Sequence, residues 1–239
     1  MDAEPETKLS EISTLWSAVC RAHAGRPEEV RVAQELLLRR YGKAAYHYLR
    51  GAVHDPDVAD DLYQEFAATF LQGKLSQADP RQGRFRDYVK GVLSNLIALY
   101  HRKRRAGPLA LAARPEDLEA LPQPAADPDQ PFLDGWRDEL LARTWEALAR
   151  LNGKTGQPFH LVLRSRADHL LFSSAQMAEQ LSAALGKPVT PAWVRQTLRR
   201  ARDKFVGLLK LEIAHTLREP TEEQVEQELR DLGLLAFCR

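Results

Sequence analysis

Cysteine is scarce, with only Cys20 and Cys238 among 239 residues. Two thiols are too few for a disulfide framework or a cysteine zinc site, and such scarcity is typical of a reducing compartment. Runs of about 18 apolar residues are also lacking, and the N-terminus is acidic where a secretory signal would be basic and then apolar. We therefore expect a cytoplasmic protein with no membrane-spanning segment and no metal.

The sequence also has no excess of one charge, since 34 lysines and arginines face 33 aspartates and glutamates. This balance excludes binding to nucleic acid or membrane through overall basicity, so any such binding must come from a local patch. With 44% hydrophobic and 28% charged residues, the chain has enough apolar material for packed cores. Its length predicts one large domain or, better, two small ones.

Apolar residues recur at spacings of three and four, and no stretch alternates with a period of two, so the pattern predicts helices and no strands. Between residues 106 and 131, six prolines and several acids interrupt this periodicity, which predicts a flexible linker rich in proline and acid. We therefore predict an all-α protein of two small helical domains, at 1–105 and 132–239, joined by the linker 106–131.

Signatures of enzymes are missing. Residues 153–155 match the end of a phosphate-binding loop, but Leu148 stands where that loop needs a glycine. Cys20 and His23 have a ligand-like spacing, yet no second pair completes a tetrahedral metal site. The seven histidines are scattered, with no nucleophile and acid in a recognisable order. We expect neither catalysis nor a cofactor.

Positive charge is concentrated between residues 81 and 105, where eight basic residues face the single acid Asp87. Phe85, Tyr88 and Tyr100 are interleaved with them, a mixture typical of surfaces that neutralise phosphates and stack unpaired bases. A solubilising helix end with buried rings is the alternative interpretation. The four adjacent cations at 102–105 favour nucleic acid, because they repel one another unless an anion binds.

A second basic segment begins at Thr190, a predicted N-cap, with Pro191 at the first helical position. The preceding predicted helix opens with a capping box at Ser173 and Gln176, and Gly186 marks the turn. Helix, glycine-containing turn and arginine-rich helix is the order of a helix-turn-helix, whose second helix enters the major groove. An ordinary exposed helix is the alternative.

A third feature has the opposite charge: polar residues near position 60 fall within one arc opposite an apolar stripe. They are Asp57, Asp60, Asp61, Gln64 and Glu65. Such an arc can simply be solvated. Because it would repel DNA, it fits a protein partner better than nucleic acid.

Several stretches resemble region two of bacterial RNA polymerase sigma factors of the small extracytoplasmic-function type. They are Asp61-Leu62-Tyr63-Gln64-Glu65-Phe66, Gly83-Arg84-Phe85-Arg86-Asp87-Tyr88, and Asn95 with the run 102–105. The segment from Val194 to Arg202 is similar to the region-four recognition helix of that family. Leu15-Trp16-Ser17 and Glu228-Leu229 resemble a lineage expanded in planctomycete-type bacteria.

The resemblance implies a sigma factor that directs promoter recognition, DNA melting and transcription initiation, with three binding surfaces. An acidic face would bind core RNA polymerase through Asp57, Asp60, Asp61, Gln64 and Glu65. A melting surface would hold the minus-ten element as single strand through Arg84, Phe85, Arg86, Tyr88, Lys90, Asn95, Arg102, Lys103, Arg104 and Arg105. A recognition surface would read the minus-thirty-five duplex through Trp193, Arg195, Gln196, Arg199, Arg200 and Arg202.

The partners implied by the resemblance are core RNA polymerase, promoter DNA, and an anti-sigma factor or another regulator. Two other classes stay open: a helix-turn-helix regulator that binds duplex DNA without polymerase, and a helical adaptor that contacts only proteins. Two basic surfaces with a separate acidic face favour the sigma factor, because a repressor usually needs one DNA-binding surface and a dimer interface.

Overall fold

The computed structural model describes residues 15–22, 26–72, 84–105, 129–218 and 220–238. Within these ranges every regular element is a helix, which confirms the predicted all-α class. None of the described helices is long and apolar enough to cross a bilayer. Residues 106–128 of the predicted linker lie outside the described residues, so its flexibility stays a prediction.

The described residues before the linker form four helices, whose ends follow from local sequence. They are α1 (Leu15–Arg21), α2 (Pro27–Val53), α3 (Pro56–Leu71) and α4 (Phe85–Arg105). The side chain of Asp55 caps α3, accepting hydrogen bonds from the backbone N–H groups of Asp57 at 3.0 Å and Val58 at 3.3 Å. Prolines begin α2 and α3, where the first helical residue needs no backbone donor.

Phe85, the first residue of α4, lies where these helices meet. Its ring packs edge-on against Trp16 of α1, Tyr41 of α2 and Phe70 of α3, with centroids 5.7, 5.0 and 6.3 Å away. All four rings are buried. Packing against three other helices therefore fixes the start of α4.

Helix α5 (Asp129–Thr155) begins in the same compact unit, because its first apolar side chains pack on α2. Phe132 lies edge-on to Tyr48, and Trp136 stacks on Tyr41. The unit runs to Glu139 and also includes His215–Thr221. The chain thus changes unit inside α5 and not at the predicted residue 132, since periodicity along α5 does not reveal which side chains pack on α2.

The second compact unit comprises Leu140–Ala214 and Glu222–Arg239. It contains the rest of α5 and four further α-helices in its described part. These are α6 (Phe159–Asp168), α7 (Ser174–Leu185), α8 (Pro191–Ala214) and α9 (Glu222–Asp231). One core cluster joins α6, α7 and the start of α8 around Val162, Met177 and Val194. Because α8 is packed on one side, its other side is left to solvent.

Candidate nucleic-acid and protein interfaces

Local hydrogen bonds cap α7 and α8, the two helices of the predicted helix-turn-helix. Ser173 Oγ accepts from the N–H of Gln176 at 3.3 Å, and Gln176 Oε1 accepts from the N–H of Ser173 at 2.9 Å. Gly186 ends α7 in the left-handed region at φ 64°. Thr190 Oγ1 then accepts from the N–H of Trp193 at 3.1 Å. The capping box and the N-cap predicted from the sequence are both confirmed.

The turn between these helices is anchored by Ser182, which sequence reasoning did not single out. Its hydroxyl accepts from the backbone N–H of Val189 at 3.0 Å and donates to the carbonyl of Ala178 at 2.6 Å. Val189 and Trp193 also pack against the buried cluster of α6, α7 and α8. The direction in which α8 leaves the turn is therefore held by both polar and apolar contacts.

The recognition surface lies on the solvent side of α8. Its exposed members are Arg195, Gln196, Arg199, Arg200 and Arg202. None of them makes an ion pair with another described residue. Trp193 is half-buried against the core cluster, which favours packing at the turn over a position facing a DNA groove. Four guanidinium groups and an amide are thus available from one rigid helix.

The melting surface divides into two ends of α4 with different environments. At the C-terminal end, Arg102, Lys103 and Arg104 are exposed, and no other described residue forms an ion pair with them. Arg105 is the last residue of the helix, and Asn95 is exposed about two turns before Arg102. This end combines dense positive charge with solvent access, as phosphate binding requires.

Two predicted members of the melting surface, Phe85 and Arg86, are buried at the N-terminal end of α4. The ring of Phe85 fills the core, so the prediction that it receives a DNA base does not match its position. Arg86 is only 5% exposed, with its Nε 3.8 Å from Asp87 Oδ1, and is likewise not presented to DNA. Phe85 is buried because the apolar stripe of α4 begins there and continues through Val89.

Tyr88, the next predicted member, is half-buried and stacks on Phe85 with centroids 6.0 Å apart. Burial raises the pKa of the Tyr88 hydroxyl above its usual value. The Tyr88 ring therefore lies at the edge of the core, and only part of the ring is accessible to solvent.

Lys90 and Arg84 are both engaged by carboxylates. Lys90 Nζ lies 3.0 Å from Asp129 Oδ2 and 3.9 Å from Asp87 Oδ1. Arg84 Nε lies 3.1 Å from Asp87 Oδ2. The pairing with Asp129 had no signal in the sequence, because that residue is 39 positions away and starts another helix.

The acidic face is exposed on α3 as predicted from its periodicity. Its members are Asp57, Asp60, Asp61, Gln64 and Glu65. The opposite side of α3 is buried. Among the described residues no cation pairs with the four acids. A hydrogen bond to Asp60, followed by burial, raises the pKa of Tyr46, so this tyrosine adjoins the face.

Two weaker motifs in the sequence were a metal-ligand pair and the end of a phosphate-binding loop. No group of three or more histidines, cysteines, aspartates and glutamates there is arranged to hold a metal ion. Cys20 is exposed as a free thiol, and His23 lies outside the described residues. Residues 153–155 form the last turn of α5 and do not follow a strand, as a phosphate-binding loop would.

In comparisons with known proteins, no family model, curated protein or solved structure matches the chain. The resemblance to sigma factors therefore rests on the residues that carry it. Among these, Trp16 and Glu228-Leu229 are buried, whereas the acidic face, the C-terminal end of α4 and the recognition surface are exposed.

Proposed function

We propose that the protein is a cytoplasmic sigma factor of the small extracytoplasmic-function type. It binds core RNA polymerase and directs promoter recognition, DNA melting and transcription initiation. The observation that carries this proposal is the recognition surface, where exposed arginines and Gln196 follow the capped turn of a helix-turn-helix. The other two surfaces explain why such a reader would also contact polymerase and single-stranded DNA.

Duplex recognition is supported by the rigidity of α8 as well as by its charge. Arg195 and Arg199 are one helical turn apart, and Gln196 and Arg200 repeat the same spacing beside them. Two adjacent rows of hydrogen-bond donors therefore run along one side of the helix. Arginine pairs with guanine O6 and N7, and glutamine pairs with adenine N6 and N7, so this side suits the major groove.

Binding of single-stranded DNA is supported by the exposed end of α4. Cations at 102–104 have no described carboxylate beside them, so a phosphate backbone would relieve their mutual repulsion. The half-buried ring of Tyr100 lies one turn before Arg104 and is the nearest tyrosine, phenylalanine or tryptophan along α4. Phosphates would provide most of the affinity there, and any base stacking would be limited to Tyr100.

A polymerase contact is supported by the acidic face, whose sign is opposite to that of both DNA-binding surfaces. A basic protein surface would pair with carboxylates on α3, whereas DNA would be repelled by them. Buried residues on the other side of α3 fix the helix, so docking would not require it to refold.

A duplex-binding regulator that acts without polymerase is the second candidate. The observation that favours it is the start of α4, where Phe85 and Arg86 are buried and Lys90 is paired with Asp129. In that case the protein would need only the recognition surface, and the acidic face of α3 would simply be solvated.

Reconstitution with core polymerase separates the two candidates. Core enzyme from the bacterium that encodes the chain is mixed with the full-length protein and with a pool of genomic fragments, and transcript starts are mapped. A sigma factor co-elutes with core and produces starts that are absent without it. Binding to fragments without co-elution or new starts would instead support the regulator.

A further inference from the structure

The beginning of α5 brings a carboxylate onto the melting surface. Asp129 Oδ2 lies 3.0 Å from Lys90 Nζ, within hydrogen-bond distance. Asp87 Oδ1 lies 3.9 Å from the same ammonium group, and the Lys90 side chain is only 20% exposed. The sequence predicts that Lys90 binds a DNA phosphate. In the free protein the carboxylate of Asp129 already occupies the place beside the ammonium group where that phosphate would bind.

Packing sets the position of Asp129 independently of this ion pair. Pro131 lies against α2 so closely that a Cβ added at Gly51 would be 2.9 Å from its Cγ. A Cβ at Gly135 would be 3.0 Å from the Cα of Ala44. Phe132 and Trp136 are fully buried between these contacts. Because the helix is fixed, the pair with Lys90 forms at a smaller entropic cost than an ordinary surface ion pair.

The two ends of α4 therefore differ in whether their cations already have carboxylate partners. At the N-terminal end Arg84, Arg86 and Lys90 surround Asp87, and Asp129 adds a second carboxylate from α5. At the C-terminal end Arg102, Lys103 and Arg104 are exposed and have no carboxylate within ion-pair distance among the described residues. A phosphate backbone reaching the N-terminal end must compete with an internal anion.

We propose that Asp129 is an autoinhibitory clamp, which competes with the phosphate backbone of single-stranded DNA for Lys90. The inference rests on the proposed function in one respect, namely that α4 binds single strand. In the free protein Asp129 lowers affinity for any unpaired strand. When DNA is delivered at an open promoter, a phosphate takes the place of this carboxylate and Lys90 becomes an additional contact.

The test measures how salt affects binding of the full-length chain to a fluorescent oligothymidine of about 20 nucleotides. Each phosphate contact on single strand adds about 0.7 to the slope of log affinity against log salt. Asp129→Asn should therefore steepen the slope by about 0.7. At about 50 mM salt this corresponds to a gain of about eightfold, if the new contact contributes nothing at 1 M.

Lys90→Ala shows whether the gain comes through the clamped lysine. In the wild-type background it should change the slope little, because Lys90 is already occupied. In the Asp129→Asn background it should remove the whole gain. Asp138→Asn is the matched control, since it removes the same charge from the same helix and from a pair with another lysine, Lys43 at 3.7 Å. It should leave the slope unchanged.

Arg102→Ala/Arg104→Ala distinguishes failure of the clamp from failure of the proposed function. If this variant binds the oligonucleotide as tightly as wild type, α4 is not a single-strand surface and both ideas fail. If it binds more weakly but Asp129→Asn leaves the slope unchanged, only the clamp is overturned. Equal gains for Asp129→Asn and Asp138→Asn would also overturn it, because they would indicate a general effect of net charge.

Discussion

The indole ring of Trp136 stacks on the phenol ring of Tyr41, with centroids 4.6 Å apart and an angle of 7° between their planes. Tyr41 also meets Phe85 edge-on, so one ring of α2 contacts both the start of α4 and the start of α5. The indole Nε1 of Trp136 is buried and makes no hydrogen bond within the described residues. The contribution of this tryptophan therefore comes from packing.

Replacing Trp136 with alanine should lower the free energy of unfolding by about 3 to 5 kcal/mol, the usual loss for a large buried aromatic side chain. Urea unfolding followed by near-ultraviolet circular dichroism measures the change. Leu171→Ala is the control, because that side chain is 98% exposed and should alter stability by less than about 0.5 kcal/mol. A loss under about 1 kcal/mol for Trp136→Ala would contradict the packing described.

Features that depend on residues close together in the chain, such as helix caps, could be predicted from the sequence. Ser173 with Gln176 and Thr190 before Pro191 are local patterns, because a cap and its helix end are at most three residues apart. The exposed arc of α3 followed from the spacing of residues such as Asp57, Asp61 and Glu65 in the same way.

What depends on tertiary packing could not be predicted in this way. For Phe85 the sequence left both a DNA-facing and a buried ring open, and its contacts with α1, α2 and α3 decide for burial. Arg86, the next residue, is also buried, which no pattern in the sequence indicated. The boundary inside α5 and the pair between Lys90 and Asp129 involve contacts across about 40 to 100 residues, for which the sequence has no local signal.

Charge reversal on the acidic face should abolish binding to core polymerase. Asp61→Lys/Glu65→Lys changes two exposed side chains one turn apart on α3, so helix stability should change by less than about 0.5 kcal/mol per residue. Size-exclusion chromatography with core enzyme is the measurement. Glu222→Lys/Glu223→Lys makes the same charge change on exposed residues of α9 and should still co-elute. Co-elution of both variants would exclude the acidic face as the contact.

The Tyr46 hydroxyl should titrate above its ordinary pKa of 10, because it is hydrogen-bonded to Asp60 and partly desolvated. Since the folded-state pKa is raised, this hydrogen bond stabilises the protein fully below about pH 10 and is lost as pH rises through the folded-state value. Carbon-13 NMR of labelled tyrosine rings follows the titration. Asp60→Asn should bring the pKa of Tyr46 down toward 10, whereas the pKa of Tyr63, raised by burial alone, should stay unchanged.

Arg199→Ala should relax promoter specificity at one base pair. A good paired contact between arginine and guanine provides about 1 to 3 kcal/mol of discrimination against the wrong base. Affinity is measured on duplexes selected for binding, with each position of the site changed in turn. Lys210→Ala removes an exposed cation farther along α8 and should leave base preference intact. If Arg199→Ala weakens every duplex equally, the arginine contacts phosphate and does not read a base.

Arg104→Ala should have a different effect, because this side chain lies in a run of exposed cations and not on the recognition helix. Loss of one phosphate contact should weaken binding about evenly across sequences and reduce the salt slope by about one unit on duplex or about 0.7 on single strand. Promoter opening should decline more than closed binding, since the surface is proposed to hold melted strand. Permanganate reactivity of unpaired thymines in the holoenzyme complex measures opening, with Arg199→Ala alongside. A change of base preference in Arg104→Ala would mean that the two surfaces have been assigned to the wrong forms of DNA.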